Sequence, residues 1–536
     1  MIVFRRSRIL LVIAATLGLA AAAWAEGIFR VNDPGNGVWV FDQPSVVANG
    51  TVLHVAFVGD NAASAVGSPN TRVYYAAVNG AADFTNKLTV DNQVRITAPF
   101  AIDNALFNQA RHPQIALRSA TELVILFQGI PSDNAASGFK LFRALLTIDN
   151  NAVTSQRVDK ILDAAGNDFL GELTDPSFAL VTADNSMRVA FSSSPSLLAP
   201  PFSDVYYARV GLDNARVVNN PILLDNATST GRLPLPRLRL DGNNNSHIAW
   251  AANDTTTDTP SGIYYAMVKT VPPSVVDNLA IGATQVLSGG LRWGFPNVLL
   301  ANASNQILVL AADEPFGTTG SAGSLGISQL NPYAVTHDGN PVNVNNIGSN
   351  SLFFLNPPGG AVLSSDFDAY HPETFIDGQL RMHVAGYGFR SALSPFRGTP
   401  GRFYAMSVGS TSASVGTASV FANMVSSPVP VGLGDIAFAM QIPGDYTRPA
   451  FAHLNTKAVH FWSGPDNVLA GDAGARNLYV TSALDSPDNA PTKQSGCSIV
   501  GDPRRGEAER IPGAAVLLLP AVLLALRRAA RKAVAR

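Results

Sequence analysis

Cysteine is almost missing from this chain: Cys497 is the one Cys in 536 residues. No internal disulfide can form, so the fold must rest on its hydrophobic core. Charge is sparse as well. Asp, Glu, Lys and Arg make up 14% of the residues, and the formal net charge is −2. Nucleic-acid binding demands clustered Lys and Arg, and the basic clusters here stand only at the two ends. Familiar catalytic signatures are missing too: there is no Gly-x-Ser-x-Gly elbow and no His-Glu-x-x-His helix. No twelve-residue EF-hand loop is present. Asp/Asn-rich turns such as 241–245 offer calcium-type oxygens, but they sit where a hairpin needs residues that tolerate a left-handed backbone. No metal and no cofactor is therefore expected.

What is present begins with the two ends. Residues 1–25 have the order of an export signal. Arg5, Arg6 and Arg8 open it, an apolar run follows, and Ala23, Trp24 and Ala25 give a small–x–small cleavage pattern ending at Ala25. Residues 511–526 form a second apolar segment, flanked by Arg510 and by Arg527, Arg528, Arg531, Lys532 and Arg536. Sixteen residues span roughly 24 Å as a helix, short for a bilayer core of about 30 Å. Flanking Arg side chains can cover the shortfall by snorkelling. The positive-inside rule keeps the basic tail cytoplasmic and the body outside the inner membrane.

Cys497 lies fourteen residues before that segment, in Ser495, Gly496, Cys497, Ser498 and Ile499. This tail resembles the C-terminal sorting signals of Gram-negative bacteria: a short motif, an apolar helix and a basic cluster. It is most similar to the Cys-bearing kind labelled JDVT-CTERM or MYXO-CTERM. The resemblance covers about the last forty residues. It implies a membrane-embedded sorting protease as partner, processing near Gly496 and Cys497, and a mature protein at the cell surface. The alternative is a plain tail anchor.

Between the ends one unit recurs, and its clearest copy is 235–268 (LPRLRLDGNNNSHIAWAANDTTTDTPSGIYYAMV). Aligned on a Pro that opens the first strand, the copies fall at Pro44, Pro113, Pro176, Pro236, Pro296, Pro372 and Pro449. Their spacings are 69, 63, 60, 60, 76 and 77 residues. A second strand follows each Pro, as at 53–57 (LHVAF), 187–191 (MRVAF) and 246–250 (SHIAW). A third carries a Tyr-Tyr pair, as at 73–78 (VYYAAV), 205–210 (VYYARV) and 263–268 (IYYAMV). The fifth copy, near 324–330, departs from the pattern. A fourth strand is expected before each next Pro, for example at 87–96 and 155–162. The seventh copy has no room for one, and the spare stretch 27–41 is expected to supply it.

Four-stranded units repeated radially describe a β-propeller, in which ring closure protects the sheet edges. The expected fold is all-β: a seven-bladed β-propeller over 26–485, a linker at 486–510, the segment 511–526 and a cytoplasmic tail at 527–536. A six- or eight-bladed ring and tandem β-sandwiches are the alternatives. The repeat resembles the propellers of bacterial surface proteins and, at fold level only, the sialidase-like superfamily. The repeated Ser-x-Asp-x-Gly-x-Thr-Trp turn of sialidases is absent.

Two sets of residues stand out. His54, His247, His383 and His460 share one position on the second strand, where a hydrogen bond between neighbouring blades is expected. Around the opening Pro the residue types vary instead: His112, Asp175, Phe295, His371 and Arg448 just before it, Arg237 and Glu373 just after. First strands line a propeller's channel, so these residues are expected at the channel mouth beside the long loops that join strands two and three. Variable side chains around one mouth suit a binding site. The leading reading is a non-catalytic, surface-anchored module that binds a glycan or a partner protein. The competing readings are a glycoside hydrolase using Asp175 and Glu373, which would have to lie about 5–9.5 Å apart, and a scaffold within a surface assembly.

Overall fold

The computed structural model describes residues 29–31, 39–60, 71–82, 94–135, 138–169, 171–194, 204–225, 234–253, 260–271, 276–287, 293–300, 307–313, 325–330, 352–353, 367–376, 382–390, 400–407, 424–425, 450–454, 457–465 and 476–484. Within them the chain is nearly all strand, arranged as seven four-stranded antiparallel sheets. The first sheet is Trp39–Asn49, Val52–Asp60, Arg72–Asn79 and Phe100–Ala101. The second is Phe107–Ser119, Glu122–Pro131, Lys140–Asp149 and Ala152–Lys160. The third is Glu172–Val181, Ser186–Ser194, Asp204–Gly211 and Ile222–Asp225. The fourth is Arg237–Leu240, Ser246–Asn253, Pro260–Val271 and Val276–Leu287. The fifth is Trp293–Leu300, Ile307–Asp313, Leu325–Leu330 and Leu352–Phe353, and the sixth is Phe367–Ile376, Met382–Arg390, Pro400–Ser407 and Met424–Val425. The seventh joins Ala450–Leu454, Lys457–Pro465 and Arg476–Leu484 to the early strand Phe29–Arg30.

First strands of successive sheets approach one another in cyclic order, and the seventh approaches the first. They are therefore the inner strands. The early strand pairs Phe29 with Val480 and Arg30 with Tyr479, and Val31 N–H donates to Leu478 O at 2.7 Å. Only part of the spare stretch 27–41 plays this role, because residues 39–41 already belong to the first inner strand. The outer strand of the first sheet also differs from expectation. It is Phe100–Ala101, later than 87–96, while Arg95 makes an isolated bridge to Val78. The outer strand of the second sheet, Ala152–Lys160, starts three residues before the expected 155–162. Residues 1–25 and 485–536 lie outside the described residues, so the export signal and the sorting tail do too. No described helix is long and apolar enough to cross a membrane.

The core lies between sheets rather than within one layer. Along Arg72–Asn79, Tyr74, Ala76 and Val78 face the seventh sheet, while Val73, Tyr75 and Ala77 face the second. Alternation with both faces buried explains why the third strand reads as a continuous apolar run. It also explains the Tyr-Tyr pair. The first Tyr stacks backward on the aromatic that ends strand two: Phe57–Tyr74 at 5.7 Å, Phe191–Tyr206 at 5.8 Å and Trp250–Tyr264 at 6.2 Å between centroids. Trp250, fully buried, also donates its indole N–H to Asp225 on the neighbouring sheet at 2.8 Å. Offset ring pairs of this kind contribute about 0.5–1.5 kcal/mol each beyond area burial.

The second Tyr faces forward and meets the repeat histidine. His54 Nδ1 lies 2.8 Å from the Tyr75 hydroxyl, and His247 Nδ1 lies 2.7 Å from that of Tyr265. The histidine bond is thus made within a sheet, not between sheets as expected. Tyr75 makes the crossing instead, donating to Asn151 O of the second sheet at 3.3 Å. In the second sheet Val124 takes the His place and Arg143 the Tyr place. Arg143 then crosses to Gly211 O of the third sheet at 2.8 Å.

Candidate functional site

The opening Pro does not open the strand in most sheets. Pro44, Pro113, Pro176, Pro296 and Pro372 lie inside their inner strands, each at a break in register with strand two. A bulge tolerates Pro because the ladder bond there is already interrupted. Only in the fourth and seventh sheets does the strand begin just after it, at Arg237 and Ala450. In the other five sheets the residue before the Pro therefore stands within its inner strand.

That residue adopts an unusual backbone. His112, Asp175 and Leu235 have φ of 48°, 50° and 48°. Pre-proline residues favour extended conformations, and a left-handed non-Gly residue is costly. The repetition at Leu235, an apolar residue, marks the geometry as a device of the repeat rather than strain confined to one catalytic group. Its effect is to bring side chains of neighbouring sheets together. His112 Nδ1 lies 3.6 Å from Asp175 Oδ1, with the Asp175 side chain 4% exposed and that of His112 18%.

The residue after the Pro has a separate task. Ser45 Oγ accepts from Ile115 N–H of the next inner strand at 3.1 Å, and Ser177 Oγ accepts from Leu238 N–H at 3.0 Å. Gln114 does both halves of the job, accepting from Phe178 N–H at 3.3 Å and donating to Pro176 O at 2.7 Å. An inner strand is a sheet edge, so alternate N–H groups face away from its own ladder and need partners. Arg237 and Glu373 occupy this stitching position, in the same register with strand two as Ser45 and Ser177. Phe295 and His371 fall at the bulges of the fifth and sixth sheets, and only their backbone is described. Glu373 is likewise described by backbone alone. Arg448, Ala25, Gly496 and Cys497 lie outside the described residues.

A further cluster beside His112 was missed by the sequence reading. Arg111 stacks its guanidinium 4.2 Å from the Phe139 ring centroid. Directly across the strand pair stands Gln128, which is 2% exposed. Its Nε2 has no hydrogen-bond partner among the described residues. Lys140 Nζ donates to Phe169 O at 2.7 Å and to Gly171 O. Burial pushes the Lys140 amine down, partly offset by the charges of Asp168 and Glu172. Burial pushes the Glu172 carboxyl up, against the Phe139 backbone N–H and the charges of Arg111 and Lys140. No motif marks these residues. Only Arg111, adjacent to the variable His112, offered a signal.

Among the described residues no group of three or more His, Cys, Asp or Glu is placed to hold a metal ion. Asp241 in particular is occupied by its own turn. It accepts from Asn243 N–H at 2.8 Å and Asn245 N–H at 2.9 Å through Oδ1, and from Asn245 Nδ2 at 3.0 Å through Oδ2.

No family model matches the chain, and no curated protein matches it by sequence. Solved structures do. A protein of unknown function from Dyadobacter fermentans DSM 18053 aligns over 85% of this chain and 98% of its own, at 10% identity and a TM-score of 0.40. The Hadza microbial sialidase Hz136 aligns over 78% of this chain and 74% of its own, at 10% identity and a TM-score of 0.37. An endo-arabinase from Bacteroides thetaiotaomicron VPI-5482 aligns over 56% of this chain and 95% of its own, at 11% identity and a TM-score of 0.31. At these scores the likenesses assign no residue and no reaction.

Proposed function

We propose that the seven sheets are the blades of one closed propeller, and that this propeller binds a glycan without cleaving it. The observation that carries the reading is the His112–Asp175 contact across two inner strands. It brings variable residues of neighbouring sheets together around a common axis, which is how a ring acquires a recognition surface. His112, whose side chain keeps 18% of its surface exposed, would supply part of that surface with Asp175 behind it, and the sequence puts Phe295, His371 and Arg448 at the same repeat position. Mixed apolar and hydrogen-bonding groups suit a sugar, whose faces are apolar and whose edges carry hydroxyls.

Two features speak for binding over hydrolysis. Asp175 is buried against an imidazole. Glu373 stands in the register that serves inter-sheet stitching in the first three sheets. The burial of Asp175 does not suit one of the facing, solvent-reached carboxylates of a glycosidase pair. We place the mature protein at the cell surface, reached by export through residues 1–25 and by processing of the tail near Cys497. A glycan array probed with the mature protein tests binding. Retention of a defined glycan class, weakened by Asp175→Asn, supports the reading. An array with no retained glycan rejects it.

A further inference from the structure

Between the second and third sheets one buried donor is left unspent by the fold, Gln128 Nε2. Ala110 packs toward the first sheet, so Arg111, the next residue of an extended strand, faces the third. Gln128 is its cross-strand partner and shares that face. Phe139 forms the floor. Its ring carries the Arg111 guanidinium at 4.2 Å, and its carbonyl accepts from Leu173 N–H of the third sheet at 2.8 Å. Glu172 comes to the same floor from the other side, where the Phe139 N–H and the Arg111 charge both favour its ionised form. Yet among the described residues no carboxylate lies within ion-pair distance of Arg111. A guanidinium and a carboxyl group thus face a shared floor without closing on each other. Beside them is a buried carboxamide whose donor is unused, a state that is unfavourable until a partner is supplied.

We propose that Arg111, Gln128 and Glu172 form a saccharide subsite, in which vicinal hydroxyls of a neutral sugar accept from Arg111 and Gln128 and donate to Glu172. The subsite rests on the glycan-binding reading above and names the part of the surface that does the binding. Arg111 and Lys140 both act on Glu172, but the Lys140 ammonium is spent on the Phe169 and Gly171 carbonyls, which leaves one cation, Arg111, facing one carboxyl group. A neutral polyol therefore fits better than an acidic ligand, which would meet Glu172 at close range.

Isothermal titration of the mature protein with xylohexaose, arabinohexaose, cellohexaose and trigalacturonate tests it, with the variants Arg111→Lys, Glu172→Gln and Gln128→Leu checked for an unchanged thermal midpoint. Arg111→Lys keeps the charge and stem but loses the planar fork, so it separates recognition from folding. The expected result is binding of at least one neutral hexasaccharide, weakened about tenfold or more in Arg111→Lys and Glu172→Gln, as loss of one hydrogen bond to a charged group predicts. Neutral binding that is unchanged in both variants but lost in Asp175→Asn overturns the subsite and leaves the glycan-binding reading standing. Preference for trigalacturonate, strengthened by Glu172→Gln, overturns it in favour of an anion site. Failure of the parent to bind any of the four defeats the reading beneath it as well.

Discussion

His247 is held at both ring nitrogens: Nδ1 lies 2.7 Å from the Tyr265 hydroxyl and Nε2 lies 3.3 Å from Asp241 Oδ2. His54, at the same place in the first sheet, has the Tyr75 hydroxyl at Nδ1 but no partner at Nε2 among the described residues. One repeat position therefore carries two electrostatic environments. A carboxylate, Asp241, stands at Nε2 of His247, and among the described residues none stands at Nε2 of His54.

Burial accordingly pushes His54 down to about 4, from 6.5. Between those pH values the unfolded chain binds a proton at this position that the folded chain refuses. Stability must then fall as pH drops from 6.5 to about 4 and level off below. The full effect is roughly 3 kcal/mol. Denaturant titrations of the parent and His54→Leu across this range check it. The parent should lose stability that the variant keeps, and parallel curves would refute the assignment.

Ser177 should matter more than its size suggests. Ser177→Ala strands the Leu238 N–H in the interface between the third and fourth sheets. We expect a loss of about 1–3 kcal/mol, with Ser45→Ala similar through Ile115 N–H. A change of a few tenths in both would mean that the stitching is incidental.

Closure makes a further demand. Removing residues 27–31 deletes the strand Phe29–Arg30 and takes Val31, fully buried, out of the core shared by the first and seventh sheets. Burial of Val31 alone contributes about 1.5–3 kcal/mol. The shortened chain should melt at clearly lower temperature in calorimetry, and an equal midpoint would contradict closure by this strand.

Much of this architecture was legible because the repeat writes each strand several times. The Tyr-Tyr pair, the strand-two aromatic and the histidine position could be aligned without knowing their contacts. Their partners could not. That the histidine meets the second Tyr follows from strand register, which a single strand does not encode. That Arg143 replaces Tyr where Val124 replaces His becomes meaningful only when both are seen to face one interface. The Pro was legible, but its place inside the strand was not, because a Pro at a bulge and a Pro at a strand start look alike in sequence. Arg111 and Gln128 come from two strands of the second sheet and Glu172 from the third sheet, so no local pattern joins them.

The tail gives an independent prediction. If 511–526 is a temporary anchor, mass spectrometry of the surface protein should find it ending near Cys497, with residues 511–536 gone. Cys497→Ala should block this processing. A surface form that retains Arg536 would show a plain anchor instead.

Binding without turnover is the central claim, and product analysis tests it most directly. The mature protein is incubated to equilibrium with a glycan that it retains on the array, and the glycan is then recovered and weighed by mass spectrometry. The account predicts recovery of the intact glycan and no new reducing ends. Shortened products that vanish with Asp175→Asn or Glu373→Gln would contradict it and establish a hydrolase.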